Sequence, residues 1–277
     1  MDKQYLRHKY QLSEMEHGYG KNVHILSDPV LFSYLATLCE PETKQPTINA
    51  LMRILYESLV QTVVNHEFPR KPQRVITRMA AKHPSEGTFT AELVDREQAT
   101  VCVNLARAGT YPSHLCYGAL NYLLNPDQVR QDHILMSRLT NEQAQVTGTA
   151  VGGCKIGGPV ENAMVLFPDP MGATGSTLIQ ALDLYKSGAG VGGVRSGKAR
   201  KYIALHLIVT PEYLKNVQMR HSDLVVYALR LDRGLSPLDV LSTRLGEKWD
   251  QERGLNGEQY IVPGGGGFGE VLNNAYV

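Results

Sequence analysis

An α/β fold, a mainly parallel sheet flanked by helices, is predicted by three features of this chain. Strand patterns alternate with helical patterns along most of its length. The run Met164-Val165-Leu166-Phe167 is apolar throughout, as a strand covered on both faces is. It leads through Asp169 into a turn rich in Gly, Thr and Ser, and then into a helical pattern with Leu178, Leu182 and Tyr185 on one face. In open sheets of this kind ligands bind beyond the carboxyl ends of the strands, which is where Asp169 falls.

The elements follow in order. Residues 1–22 are polar and read as an arm or partly ordered extension. Residues 28–38 and 47–66 have helical periodicity. In the second, Ile48, Leu51, Met52, Leu55, Leu59 and Val63 form an apolar stripe, and Thr47 after Pro46 is the expected cap. Strands are expected at 88–94 and 99–105, then a helix at 112–124 with Pro112 in its first turn. Further strands are expected at 133–139, 163–168, 202–209 and 224–231. Between the last two lies a helix at 211–219, capped by Thr210 with Pro211 at its first position. The expected division is an N-terminal helical extension, 1–46, and one domain, 47–277.

Composition excludes several function classes. A chain of 277 residues buries a sizeable core as one large domain or as a domain with an appendage. Its formal net charge of +1 gives no bulk attraction to nucleic acid or an anionic membrane. No apolar stretch reaches the roughly 18 residues of a membrane span. Met1-Asp2-Lys3-Gln4-Tyr5 lacks an apolar signal region, so a cytoplasmic location is expected. Cys39, Cys102, Cys116 and Cys154 are scattered; Cys102 and Cys116 sit among apolar residues and read as buried, reduced thiols. No Cys/His spacing suits zinc, and no residue is assigned as a metal ligand.

The turn Asp169-Pro170-Met171-Gly172-Ala173-Thr174-Gly175-Ser176-Thr177 is the candidate site. A helix N-terminus carries unpaired N–H groups and partial positive charge, which attract phosphate. Gly172 and Gly175 would let the backbone approach an anion, and Thr174, Ser176 and Thr177 add hydroxyl donors. On residue types alone the turn is either such a cradle or an ordinary helix cap. No Lys stands where a Walker loop needs one. Two other Gly-rich patterns, Gly188/Gly190/Gly193 and Gly192 to Lys198, follow a helix and precede a strand. That order is the reverse of a nucleotide loop, so they read as a connector.

Asp169 to Ser176 resembles the phosphoribosyl-diphosphate loop of uracil phosphoribosyltransferases, usually Asp-Pro-Met-Leu-Ala-Thr-Gly-Gly-Ser, with Gly172 for Leu and one Ser shifted. Ala106-Arg107-Ala108-Gly109 resembles the family's Leu-Arg-Ala-Gly segment, which holds pyrophosphate. An Arg fork donates two parallel hydrogen bonds to a phosphate. Met136-Ser137-Arg138 stands where the family has an Arg after Met-Tyr. Gly254-Leu255-Asn256, then Tyr260-Ile261-Val262-Pro263-Gly264-Gly265-Gly266-Gly267-Phe268-Gly269-Glu270, resembles Gly-Leu-Asn and Tyr-Ile-Val-Pro-Gly-Leu-Gly-Asp-Ala/Phe-Gly-Asp. Met52-Arg53-Ile54-Leu55-Tyr56-Glu57 is similar to the family's Leu-Met-Tyr-Glu stretch.

Over roughly 47–271 the resemblance implies a type I phosphoribosyltransferase core with a small hood. It also implies transfer of ribose 5-phosphate from phosphoribosyl diphosphate to uracil, giving UMP and pyrophosphate. The loop 170–177 would grip the 5-phosphate, and Asp169 the ribose hydroxyls or the cationic sugar. Arg107 and Arg138 would hold the diphosphate with Mg²⁺ carried by that substrate. Main-chain groups around Tyr260, Ile261, Gly266, Gly267 and Phe268 would read the base. The partners implied are small molecules and a second copy of the chain, as a homodimer or higher homo-oligomer.

Three departures qualify this. Gly267 stands where the family has an Asp, and Glu270 is the candidate compensating acid. The stretch 233–252, which includes Trp249, is inserted relative to the family, as a base-pocket cover or a subunit contact. The extension to Pro46 has no part in the motifs. An active enzyme for uracil or another base, and a non-catalytic sensor of phosphoribosyl diphosphate or a nucleotide, both stay open.

Overall fold

Apolar strands covered on both faces must stack side by side between helices. In the computed structural model of the protein, which describes residues 4–140, 146–187 and 197–275 (for 137–140 and 146–150 the backbone alone), they do. Chain order runs β1 (Val23–Ile25), α1 (Pro29–Cys39), α2 (Thr47–Glu67), β2 (Arg70–Ile76), β3 (Thr88–Val94), β4 (Thr100–Ala106) and α3 (Thr110–Leu123). Then come β5 (Val129–Thr140), β6 (Val146–Lys155), β7 (Met164–Pro168), β8 (Met171–Gly172), α4 (Ser176–Lys186), β9 (Lys201–Val209), α5 (Pro211–Arg220) and β10 (Val225–Leu231). Two short turns, α6 (Leu238–Leu241) and α7 (Phe268–Val271), complete the chain.

The main sheet has the order β1-β10-β9-β7-β4-β5-β6, with β8 also on β9, while β2 and β3 pair separately. Within the main sheet only β5–β6 is antiparallel. Side chains alternate between two cores. On β7, Met164 and Leu166 pack with α1, α2 and α3, and Val165 and Phe167 with α4 and α5. Cys102 and Cys116 are fully buried, and all four cysteines are free.

The expected helices and strands recur, with instructive differences. Thr47 is not the cap of α2: it is the first helical residue after Pro46, and the Gln45 side chain accepts from the Asn49 N–H instead, at 3.3 Å. Thr210 does cap α5, accepting from the Tyr213 N–H at 3.0 Å. Strands β1, β2 and β6 were not anticipated: β1 is three residues long, β2 carries Pro72 and charged residues, and β6 is Gly-rich. Residues 23–39 add an edge strand and a core-facing helix to the rest of the chain. Tyr19, within the expected arm, is 1% exposed.

None of residues 233–252 lines the cleft described below. They close instead around a buried ion pair, Arg233 Nη1 to Glu252 Oε1 at 2.5 Å. Glu252 also accepts from the Tyr19 hydroxyl at 2.5 Å and the Gly246 N–H at 2.9 Å. Arg233 donates to the Thr243 carbonyl at 2.6 Å, and the Trp249 indole to the Pro211 carbonyl at 3.0 Å.

Removing one partner strands the other charge in the interior. Glu252→Ala is therefore expected to destabilise the protein by about 3–5 kcal/mol in urea unfolding. A loss below about 1 kcal/mol, the range of an exposed pair, would contradict this role.

Candidate active site

The turn after β7 is set by what lies behind it. Its carbonyls are consumed by the body of the protein: Pro170 accepts from Leu207 and Ile208 N–H at 3.0 and 3.1 Å, and Gly172 from Thr210 N–H at 3.1 Å. Ala173 accepts from the Thr210 hydroxyl at 2.7 Å and Thr174 from Asn216 Nδ2 at 2.9 Å. Helix α4 then starts at Ser176 without a side-chain cap bond from Gly175. The hydroxyls of Thr174 and Ser176 lie 3.1 Å apart.

The glycines serve packing more than ligand approach. A Cβ at Gly172 would stand 2.9 Å from Val209 Cγ1 and 3.2 Å from the Tyr213 ring. One at Gly175, whose φ of +81° already favours glycine, would stand 2.8 Å from Val217 Cγ1. Both therefore let the turn lie on β9 and α5.

Beneath the turn His206 is buried. Its Nδ1 lies 2.6 Å from the Asp169 carbonyl oxygen, which only accepts, so Nδ1 carries the proton. Nε2 then accepts from the Tyr213 hydroxyl at 2.6 Å. Burial takes the imidazole down to about 4, outweighing the bond to the Asp169 carbonyl. Burial pushes the Asp169 carboxyl up to about 6, outweighing the N–H of Met171 that it accepts at 3.3 Å.

A cleft of about 1140 Å³ opens at this end of the sheet. It is lined by Asp169, the turn from Met171 to Thr177, Arg107, Tyr260, Ile261 and the stretch from Gly266 to Glu270. These segments come from three distant parts of the chain. Pro170 is buried behind the turn and is not in the lining. The Phe268 ring is in the core, so this residue meets the cleft by its backbone side. Arg138 lies on β5 opposite Thr149, and its side chain is outside the described residues. The Gly188–Ser196 connector is also outside them.

Arg107 follows β4 through a cis Ala106–Arg107 peptide. Its Nη2 is 2.8 Å from Glu270 Oε1. A Cβ at Gly267 would lie 2.5 Å from Glu270 Oε2. The Glu270 carboxylate thus occupies the space that a side chain at 267 would take.

The sequence reading missed four supports. His206 and Tyr213 hold the turn from below. Arg230 and Asp232, paired at 2.6 Å, hold the glycine run: Asp232 Oδ2 accepts from the Gly264 N–H at 2.7 Å, and Arg230 Nη2 donates to the Gly264 carbonyl at 2.9 Å. The one signal available was a charged or polar residue inside an apolar strand, as in Leu205-His206-Leu207.

A strand-ending acid, a hydroxyl-bearing turn at a helix N-terminus and a facing arginine, all at the carboxyl edge of a parallel sheet, are the parts of a phosphoribosyltransferase. The model of the uracil phosphoribosyltransferase family matches residues 25–251, and the chain belongs to that family. The uracil phosphoribosyltransferase of Variovorax paradoxus is 29% identical over 234 residues, 83% of this chain and 97% of that protein. That of Acinetobacter baylyi is 33% identical over 92 residues, 33% of this chain and 39% of that protein. The AQ2163 protein from Aquifex aeolicus shares the fold, with a TM-score of 0.65 at 21% identity, over 92% of this chain and 99% of that one.

The two shifted groups make opposite contributions to stability. Asp169, with its native value raised from 3.8 to about 6, stabilises the fold as pH falls through that window. His206, lowered from 6.5 to about 4, does the reverse, because the unfolded chain takes up its proton first. Asp169→Asn removes only the first. The variant's urea midpoint is expected to fall more steeply than the parent's between about pH 6 and pH 4. Parallel curves would contradict the raised carboxyl.

Proposed function

We propose that the protein transfers ribose 5-phosphate from phosphoribosyl diphosphate to N1 of uracil, giving UMP and pyrophosphate. The observation that carries this is the convergence of the Asp169–Thr177 turn, Arg107 and the Tyr260–Phe268 stretch on one cleft. The amides and hydroxyls of 174–177 bind the 5-phosphate, aided by the positive end of α4. Asp169, ionised near neutral pH, accepts from the ribose hydroxyls and faces the cationic character that develops at the sugar carbon. Arg107 donates to the departing pyrophosphate, with Arg138 assigned to the same diphosphate. The C1–O bond to the diphosphate breaks as the N1–C1 bond forms, and the N1 proton of the base passes to the departing pyrophosphate. Backbone groups of Tyr260, Ile261, Gly266, Gly267 and Phe268 match the edge of the pyrimidine.

The cleft suits Mg²⁺ by its donors. It holds the carboxylates of Asp169 and Glu270, and its one imidazole, His206, has both nitrogens engaged. Bound with the diphosphate, the ion neutralises charge on the leaving group. Asp169 and Glu270 are the residues that would face it. Glu270 supplies the carboxylate missing at Gly267, supported by its position in that residue's side-chain space. In use it exchanges Arg107 for the substrate.

The family also supports a cytoplasmic homodimer or higher homo-oligomer. The net charge of +1 offers no attraction for nucleic acid, and no helix among the described residues is long and apolar enough to cross a membrane.

The test is pyrophosphate release with phosphoribosyl diphosphate, Mg²⁺ and a panel of bases. Uracil is expected to be the preferred acceptor. Binding without release for every base would favour a sensor, the reading that the lost acid at Gly267 supports. Arg107→Ala is expected to lower kcat/KM by about 100-fold or more, the effect of losing one transition-state donor. Glu270→Ala is expected to lower the rate, and adding Gly267→Asp to recover part of it; no change on Glu270→Ala would remove the compensating role.

A further inference from the structure

A second cluster of functional side chains lies outside the cleft, on the β1 edge of the sheet where α2 ends. His24, on β1, meets His66 and Glu67, the last two residues of α2; one ligating atom from each lies within 4.8 Å of the others. We propose that His24, His66 and Glu67 form a binding site for a first-row divalent transition metal of the Zn²⁺ type.

The donor chemistry selects this class. Two imidazoles and one carboxylate suit Zn²⁺ and its neighbours, whereas Mg²⁺ and Ca²⁺ take oxygen donors. Hydrogen-bond partners around the cluster hold each ligand in orientation, as such partners do in metal sites. Glu14 Oε2 lies 2.9 Å from His24 Nδ1. A carboxylate only accepts, so Nδ1 carries the proton and Nε2 keeps its lone pair. The Tyr227 hydroxyl donates to Glu67 Oε1 at 2.7 Å and lies 2.5 Å from His66 Nδ1. Its own proton being committed to Glu67, it accepts from His66 Nδ1, which also lies 3.3 Å from Glu67 Oε1, and Nε2 of that ring keeps its lone pair. Lys201 holds the second oxygen of Glu67. His24 also stacks on Tyr227, with ring centroids 4.6 Å apart, which fixes the plane of its ring.

Charge and access agree. Glu14 and Glu67 against Lys201 leave net negative charge beside the two imidazole rings. Glu67 is 4% exposed and His24 12%, whereas His66 is 34% exposed. The site is therefore firm at its base and open on one side, where water completes a four-coordinate shell. A bound ion would tie the edge strand β1 to α2 and so would favour the folded chain. The spacing of residues 24 and 66–67 matches no sequence pattern for zinc; only the fold brings the donors together.

The test uses the full chain, stripped with a chelator and then dialysed. Zn²⁺ is titrated by calorimetry, Co²⁺ by its visible absorption, and Tm is recorded with each. One ion per chain is expected, with the intense Co²⁺ bands of a four-coordinate site and a raised Tm. His66→Gln, at the most exposed ligand, and His24→Gln should each abolish the Co²⁺ bands while the circular dichroism stays unchanged. Glu14→Gln should weaken the affinity by about 10- to 100-fold with the stoichiometry retained. No binding would overturn the proposal. So would binding that survives His66→Gln undiminished, since it would put the ion elsewhere, or Co²⁺ spectra of the six-coordinate aquo type.

Discussion

The turn after β7 depends on where its carbonyls go. Every backbone carbonyl in a segment, and every N–H except at proline, must find a partner. Here the acceptors of Pro170, Gly172, Ala173 and Thr174 are taken by β9, Thr210 and Asn216 behind the turn. With that side consumed, the segment meets the cleft with its hydroxyls and the start of α4, where the Thr174 hydroxyl accepts from the Ser176 N–H at 3.4 Å. Thr210 is central, because it caps α5 and holds the turn with one side chain. Any bulk at Gly172 or Gly175 would lift the turn off Tyr213 and Val217.

The opposite wall is built by similar means. A glycine run has little to pack, so its shape must come from polar anchors. Asp232 and Arg230, at the end of β10, clamp the Gly264 peptide from both sides. Glu212, at the start of α5, accepts from the Gly254 N–H at 2.9 and 3.1 Å. The same helix thus supports the turn at one point and the C-terminal segment at another. Between the walls stand Arg107 and Glu270, one charge from each side, paired across the cleft. The Glu270 carboxylate fills the space that a side chain at Gly267 would take.

Much of this was legible from residue order. The run Met164–Phe167 could only be a strand covered on both faces, and Thr210-Pro211 could only begin a helix. The placement of Asp169 at a strand end followed from the first of these. What escaped was long-range or poorly patterned. Strand β1 is too short to show a period, and the Gly-rich β6 has few side chains to show one. Thr47 looked like a cap because capping is judged from residue type, whereas Gln45 reaches the same helix end by length. The burial of Tyr19 against Glu252 joins residues 233 positions apart, and no local pattern records it. Of the supports of the site, His206 and Arg230 are polar residues in apolar strands, where a sequence marks the anomaly without its purpose; Tyr213 and Asp232 carry no such mark.

The proposed transfer depends most on the residues between Asp169 and Thr177 receiving the sugar 5-phosphate. A crystal structure of the protein with phosphoribosyl diphosphate and Mg²⁺ tests this directly. The account predicts the 5-phosphate within hydrogen-bond distance of the amides and hydroxyls of Thr174, Ser176 and Thr177, the ribose hydroxyls on Asp169, and Arg107 released from Glu270 onto the diphosphate. A 5-phosphate bound elsewhere in the cleft, with Arg107 still on Glu270, would contradict it.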